Sequence, residues 1–187
     1  QKTAYEIPKR DWSSDVCSSD LGLGLSALAA GLAMKKTKGK AVTLDSYIEE
    51  RLNSYIYEPN MRDKIIEEND SYKNVCYFIK KFSLENTLYN EIGWSPENIS
   101  TVVEKHFNMP LDYIFIDSNH KEEQLFKEIE ALLPYSDKNT QWLFHDVIDT
   151  LWTPKIEEFC NKNLNKKMKV LLTRNENCSD LGMLINR

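Results

Sequence analysis

Four consecutive apolar residues, Tyr113, Ile114, Phe115 and Ile116, run directly into Asp117, and this feature most narrows what the chain can fold into. The run is β-branched and aromatic, too short for a helix, and apolar at every position. A strand buried on both faces reads this way, which predicts a central strand of a parallel sheet. Ser118, Asn119 and His120 follow, and then Leu125, Ile129 and Leu132 or Leu133 form one apolar stripe among Lys and Glu, as on an amphipathic helix. Pro134 stops that helix, and a second short strand over residues 141–144 delivers His145 and Asp146. In an open parallel sheet the ligand crevice lies beyond the carboxyl ends of the strands. Asp117, His120, His145 and Asp146 are therefore expected to converge on one edge.

The remaining elements are read relative to that edge. Gly22, Gly24 and Ser26 lead into Ala27, Leu28, Ala29, Leu32 and Met34, a glycine turn opening a small-residue helix. Glycine lets backbone approach a ligand, and a helix start presents unpaired N–H groups; tight helix packing explains such a start equally well. The polar run at residues 35–38 closes the helix at Gly39, and a strand over 41–44 ends in Asp45 and Ser46. A glycine turn, a helix, then a strand ending in an acid about 20 residues on is how α/β folds hold a nucleoside. Residues 61–82 predict one or two helices and residues 87–92 a strand. Gly93-Trp94-Ser95-Pro96 follows, with Ser95 as N-cap and Pro96 as first residue of a helix over 97–107. Trp94 sits where an adenine could stack, or where a packing tryptophan would. A helix over 155–163 and strands over 168–172 and 182–185 complete an α/β alternation with helices on both faces of the sheet.

The formal net charge of −5 argues against a nucleic-acid surface, which needs a basic stripe. Lys35, Lys36, Lys38 and Lys40 cluster at a predicted helix end, where they complement its dipole. The four cysteines include no C-x-x-C pair, which suits a reducing compartment, and cytoplasm is the expectation. The apolar stretch 21–34 is shorter than the roughly 20 residues a spanning helix needs, so no membrane association is expected.

The first 21 residues stand apart. QKTAYEIPK followed by RDWSSDVCSSDL resembles translated sequencing-adapter sequence, so residues 1–21 are read as non-native and residues 22–187 as a single domain.

Taken together, GLGLSALAAGLA, AVTLD, GWSPENI, DYIFIDSNHKEEQLFKEIEALLP, WLFHDV and LGMLINR resemble class I S-adenosylmethionine-dependent methyltransferases, most closely the bacterial small-molecule O-methyltransferase and cephalosporin hydroxylase group. The resemblance implies a Rossmann-like, doubly wound, mostly parallel sheet. It also implies that Gly22, Gly24 and Ser26 wrap the methionine part of S-adenosylmethionine, that Asp45 and Ser46 bind its ribose, and that Trp94 and Ser95 border its adenine. Asp117 would lie beside the methionine moiety or hold Mg2+ together with Asp146, although Val147 stands where catechol-type relatives carry an Asn ligand. His120 and His145 are the candidate general bases. The family's acid and first glycine fall at Ser18 and Asp20, inside the adapter-like segment, so the central first strand is expected to be missing and cofactor binding poor. The expected activity is methylation of an oxygen on a small molecule or sugar. The alternatives are a nicotinamide-dependent oxidoreductase, for which no Tyr-x-x-x-Lys pair is found at a strand end, and a non-catalytic binding scaffold or truncated fragment.

Overall fold

The computed structural model describes residues 15–19, 24–47, 61–108, 110–118, 121–147, 152–172 and 181–186. Seven strands form one sheet: β1 (Asp15–Ser19), β2 (Ala41–Asp45), β3 (Leu88–Ile92), β4 (Tyr113–Asp117), β5 (Gln141–His145), β6 (Lys166–Leu172) and β7 (Leu181–Asn186). Their order is β3-β2-β1-β4-β5-β7-β6. The first five are parallel, and β7 is antiparallel to both β5 and β6. The helices are α1 (Leu25–Thr37), α2 (Met61–Glu68), α3 (Asp70–Lys81), α4 (Ile99–His106), α5 (Glu122–Leu132) and α6 (Pro154–Leu164). The expected α/β fold is the one observed.

Alternation along the strands builds two cores. Val42 and Leu44 of β2, Ile114 and Ile116 of β4, and Trp142 and Phe144 of β5 point to one face, where they meet Ile99 and Val103 of α4, Leu125 and Ile129 of α5, and Ile156 of α6. On the other face Ala41, Leu88 and Ile92 pack with Ala27 and Met34 of α1 and Val75 of α3. Helices therefore cover both faces. Among the described residues no helix is long and apolar enough to cross a membrane.

The gap expected at the centre of the sheet is not there. Asp15–Ser19, five residues of the adapter-like segment, pair with β2 from Asp15↔Ala41 to Ser18↔Leu44 and with β4 from Asp15↔Tyr113 to Ser19↔Asp117. The physical reason is that ladder pairing is made by backbone N–H and C=O groups, which every non-proline residue carries, and an empty place would orphan those groups on both neighbours. The expectation of poor cofactor binding is separate from this pairing, since Ser18 and Asp20 still stand where the family carries its acid and first glycine.

Smaller differences also have local causes. The strand β4 alternates buried and half-buried residues rather than being sealed on both faces, and Phe115 meets the edge of the His145 ring, centroids 6.4 Å apart. Ser95 does not cap α4: the chain turns through 95–98, the Asn98 N–H donates to the Trp94 carbonyl at 2.7 Å, and Asn98 Oδ1 accepts the Trp94 N–H at 2.7 Å. That closed turn delays the helix to Ile99. Helix α1 ends with Lys38, not Gly39, in the left-handed region, its N–H bonded to the Met34 carbonyl. Lys35 donates to the carbonyl of Phe82, the residue that caps the end of α3, at 2.7 Å.

Candidate functional site

The carboxyl-terminal rim of the parallel strands is set by register. Asp45 pairs with Ile92, Ser19 with Asp117, and Ile116 with Phe144. Continuing the Ser18↔Leu44 and Ile116↔Phe144 registers by one residue puts Asp45 beside Ser19 and Asp117 beside His145. Ile92, Asp45, Ser19, Asp117 and His145 thus form one cross-strand row, with Asp45 and Asp117 two strand spacings apart, roughly 10 Å. Residues two apart share a face, so Asp45 points with Ala41 toward the α1 side, and Asp117 and His145 lie on that same face.

The next element after β1 is α1, which packs against β2 and β3. Its N-cap, Gly24, is buried and left-handed at φ 74°, and no side chain caps the helix start. A Cβ at Gly24 would lie 2.6 Å from Val75 Cγ2, so glycine is required here by both backbone and space. Ser26 is half-buried in the first turn. Gly22 lies outside the described residues.

On one side, the Asp45 carboxylate is held from behind. Its Oδ1 accepts the Tyr47 N–H at 2.7 Å, while the Tyr47 hydroxyl donates to Asn90 Oδ1 at 2.5 Å and the Tyr47 carbonyl accepts from Asn69 Nδ2 at 2.8 Å. Tyr47 is buried and at φ 56°, a conformation costly for an aromatic residue and kept here by these three bonds. Burial first, and then the Asp45 charge, push its phenol well above the usual tyrosine range. Ser46 is half-buried, and Trp94 and Ser95 are half-buried in the turn after β3.

On the other side, Asp117, His145 and Asp146 come together, with donor atoms from all three lying within 4.8 Å of one another. His145 Nδ1 is 2.9 Å from Asp117 Oδ1 and 3.2 Å from Asp146 Oδ2. These are ion-pair distances, yet neither approach has hydrogen-bond geometry at Nδ1. Asp146 is itself left-handed, at φ 51°, another strained residue on the rim. His120 lies outside the described residues. His106 of α4 bonds Glu91 at 2.6 Å.

The donor sets bear on what could bind. An uncapped helix start behind a glycine, flanked by a carboxylate fixed at the end of the next strand, fits a nucleoside-bearing ligand. Two carboxylates and an imidazole fit a divalent cation; the carboxylates suit magnesium or manganese, while the nitrogen donor suits iron or zinc better. A cleft of about 400 Å³ lined by Ser136, Asp137 and Asn165 contains none of these rim residues.

One carboxyl group escaped the sequence reading. Glu128 of α5 is fully buried; its Oε2 accepts from Ser118 Oγ at 2.5 Å and its Oε1 from Gln124 Nε2 at 3.1 Å. Burial pushes its carboxyl up, against bonds from Ser118, Ser95 and Gln124 that pull it down. The signal was present: Glu128 stands on the stripe of Leu125, Ile129 and Leu132, where an acid does not belong.

With this geometry in place, comparison with known proteins decides the family. Residues 20–147 match the family model described as "Methyltransferase domain". The chain belongs to that family. It is accordingly an S-adenosylmethionine-dependent methyltransferase, and the match favours transfer over nicotinamide-dependent oxidation. Among solved structures, it is similar to an O-methyltransferase from Bacillus cereus in complex with SAH, at 16% identity over 92% of this chain and 74% of that one, TM-score 0.62. It is also similar to a TDP-rhamnose 3'-O-methyltransferase of calicheamicin biosynthesis, at 13% identity over 94% and 72%, TM-score 0.55. An rRNA methylase from Streptococcus thermophilus matches at 14% identity over 94% and 88%, TM-score 0.54. No curated protein matches the chain. The methyltransferase fold thus accounts for the sheet order and for the rim that carries the acids.

Proposed function

We propose that this methyltransferase transfers the methyl group of S-adenosylmethionine to an oxygen of a small molecule or sugar. The observation that carries the reading is the single cross-strand row ending β2, β4 and β5, which offers Asp45 on one side of α1 and the Asp117, His145 and Asp146 cluster on the other.

In this reading the start of α1, with Gly22, Gly24 and Ser26, cradles the methionine part. Asp45 and Ser46 accept from the ribose hydroxyls, and Trp94 and Ser95 border the adenine. The cofactor supplies an electrophilic methyl group on a sulfonium. The acceptor oxygen attacks in line, the C–O bond forms as the C–S bond breaks, and the sulfur leaves as a neutral thioether. Positioning supplies much of the rate, since a well-oriented pair reacts as if at very high concentration. The acceptor proton needs a base, and His145, with Nδ1 turned toward two carboxylates, is suited to take it on its other nitrogen; His120 is the second candidate. A divalent ion such as Mg2+, held by Asp117 and Asp146 with His145 as a third donor, would lower the acceptor hydroxyl's pKa. The two roles of His145 are alternatives, because an imidazole that gave its Nδ1 lone pair to an ion would carry its proton on Nε2 and could not accept another there.

The test is direct. S-adenosylmethionine carrying an isotopic methyl label is incubated with catechols, hydroxylated aromatics, nucleotide sugars and, as a competing class, rRNA fragments, and labelled products are identified by mass spectrometry. Labelled methyl ethers are expected, and they should be lost in Asp45→Ala. Label appearing only in RNA, or no cofactor binding by isothermal titration, would sink the proposal.

A further inference from the structure

The helix α5 carries a polar arrangement that its packing does not require. Its inward stripe is Leu125, Ile129 and Leu132, each about fully buried, and Glu128 interrupts it with no exposure at all. A leucine there would bury without needing partners, whereas an acid must be supplied with hydrogen bonds to offset its lost hydration. Departures from a local rule of this kind concentrate where function demands them.

The partners show what the departure achieves. Ser118, which donates to Glu128 Oε2, follows Asp117 at the end of β4. Gln124, one helical turn before Glu128, gives its amide both to Glu128 Oε1 and to the carbonyl of Ser95 in the turn after β3. A single turn of α5 thus grips two rim segments that the chain order separates by some 20 residues. One is the segment assigned to adenine; the other carries Asp117, which the family resemblance places beside the methionine moiety.

We propose that Glu128 is a positioning residue that, through Gln124 and Ser118, sets the spacing between the β3–α4 turn and the end of β4, so that the adenosine and amino-acid halves of the cofactor are engaged together. The proposal rests on the reading of the rim as the S-adenosylmethionine site. Glu128 itself touches no ligand. When two halves of one ligand are held at the right separation, the second contact is effectively intramolecular, and the gain is lost once the spacing fails. A residue that merely stabilised the fold would affect the half ligand and the whole ligand alike.

The experiment measures dissociation constants of the intact chain for adenosine and for S-adenosylhomocysteine by isothermal titration. The variants are Glu128→Gln, Glu128→Leu and Gln124→Met. Glu128→Leu and Gln124→Met are expected to weaken S-adenosylhomocysteine on the order of tenfold, the scale of a lost buried hydrogen bond, and adenosine less than about twofold. Glu128→Gln keeps the shape and an acceptor for Gln124, and its amide can donate to the Ser118 hydroxyl, which is free to rotate and accept, so it should stay within about threefold of wild type for both ligands. Should Glu128→Leu fail to fold, Gln124→Met at its half-buried position decides alone. Equal losses for the two ligands, or no loss for either, would overturn the positioning role while leaving the cofactor site intact. A wild-type chain binding neither ligand would instead remove the cofactor site, and this inference with it.

Discussion

Replacing Gly24 with Ala tests the start of α1 most sharply, because the structure supplies both parts of the expected cost. The first part is conformational: an L residue in the left-handed region costs about 1–2 kcal/mol that glycine does not. The second is steric. The new Cβ would stand 2.6 Å from Val75 Cγ2, about 1 Å inside ordinary carbon contact. Val75 is fully buried and cannot swing aside into solvent, so overpacking adds about 1–3 kcal/mol. The sum, roughly 2–5 kcal/mol, is a large share of a typical domain's 5–15 kcal/mol. Gly31→Ala is the matched control. It lies in the same helix without a left-handed φ, its Cβ would meet Leu84 and Leu88 at 3.1 Å, and alanine's helix propensity returns about 1 kcal/mol. Its net effect should be within about 1 kcal/mol of zero. Urea unfolding followed by circular dichroism, with equal slopes confirming comparable unfolded states, gives both numbers. If Gly24→Ala costs no more than Gly31→Ala, then either the left-handed cap or its contact with α3 is wrong, and the backbone cradle argued for the cofactor goes with it.

Two further outcomes follow from the charged groups. Burial raises the Glu128 carboxyl above its ordinary 4.5, so the folded chain holds a proton that the unfolded chain releases. That contribution is fully present below pH 4.5 and is lost as pH rises through the folded value, at up to about 1.4 kcal/mol per pH unit. Glu128→Gln should therefore gain stability relative to wild type between pH 4.5 and neutrality; a constant difference across that range would show that the carboxyl is ionised in the fold. For the rim cluster, added Mg2+ or Mn2+ should raise the melting temperature of the wild-type chain, with about 2.7 kcal/mol of stabilisation at a hundredfold excess over the dissociation constant. Asp146→Ala should abolish that gain, and a gain that survives this substitution would place the ion elsewhere.

What was legible in the sequence came from neighbouring residues. The apolar run ending at Asp117, the stripe of α5 and the short strand before His145 each encode an element by local periodicity. A strand's end is also where its next polar residue must stand, so the rim positions of Asp45, Asp117, His145 and Asp146 could be expected before any coordinates. The brace around Glu128 was half visible, as an acid on an apolar stripe, but its partners were not. The cap of α4 was misread because Ser95 and Pro96 satisfy the local pattern of a helix start, while the Trp94–Asn98 pairing that overrides it depends on how the turn closes.

The sequence by itself determined the α/β class, the order of the elements and which side chains end the strands, because period-2 and period-3.6 patterns are written in adjacent residues. Tertiary structure alone decided that Asp15–Ser19 stands between β2 and β4, that Tyr47 steadies Asp45, and that Ser118 and Gln124 meet on Glu128. Those contacts join backbone or polar groups whose partners are distant in the chain, and only the unmet hydrogen-bonding demand of the assembled sheet and helices selects them.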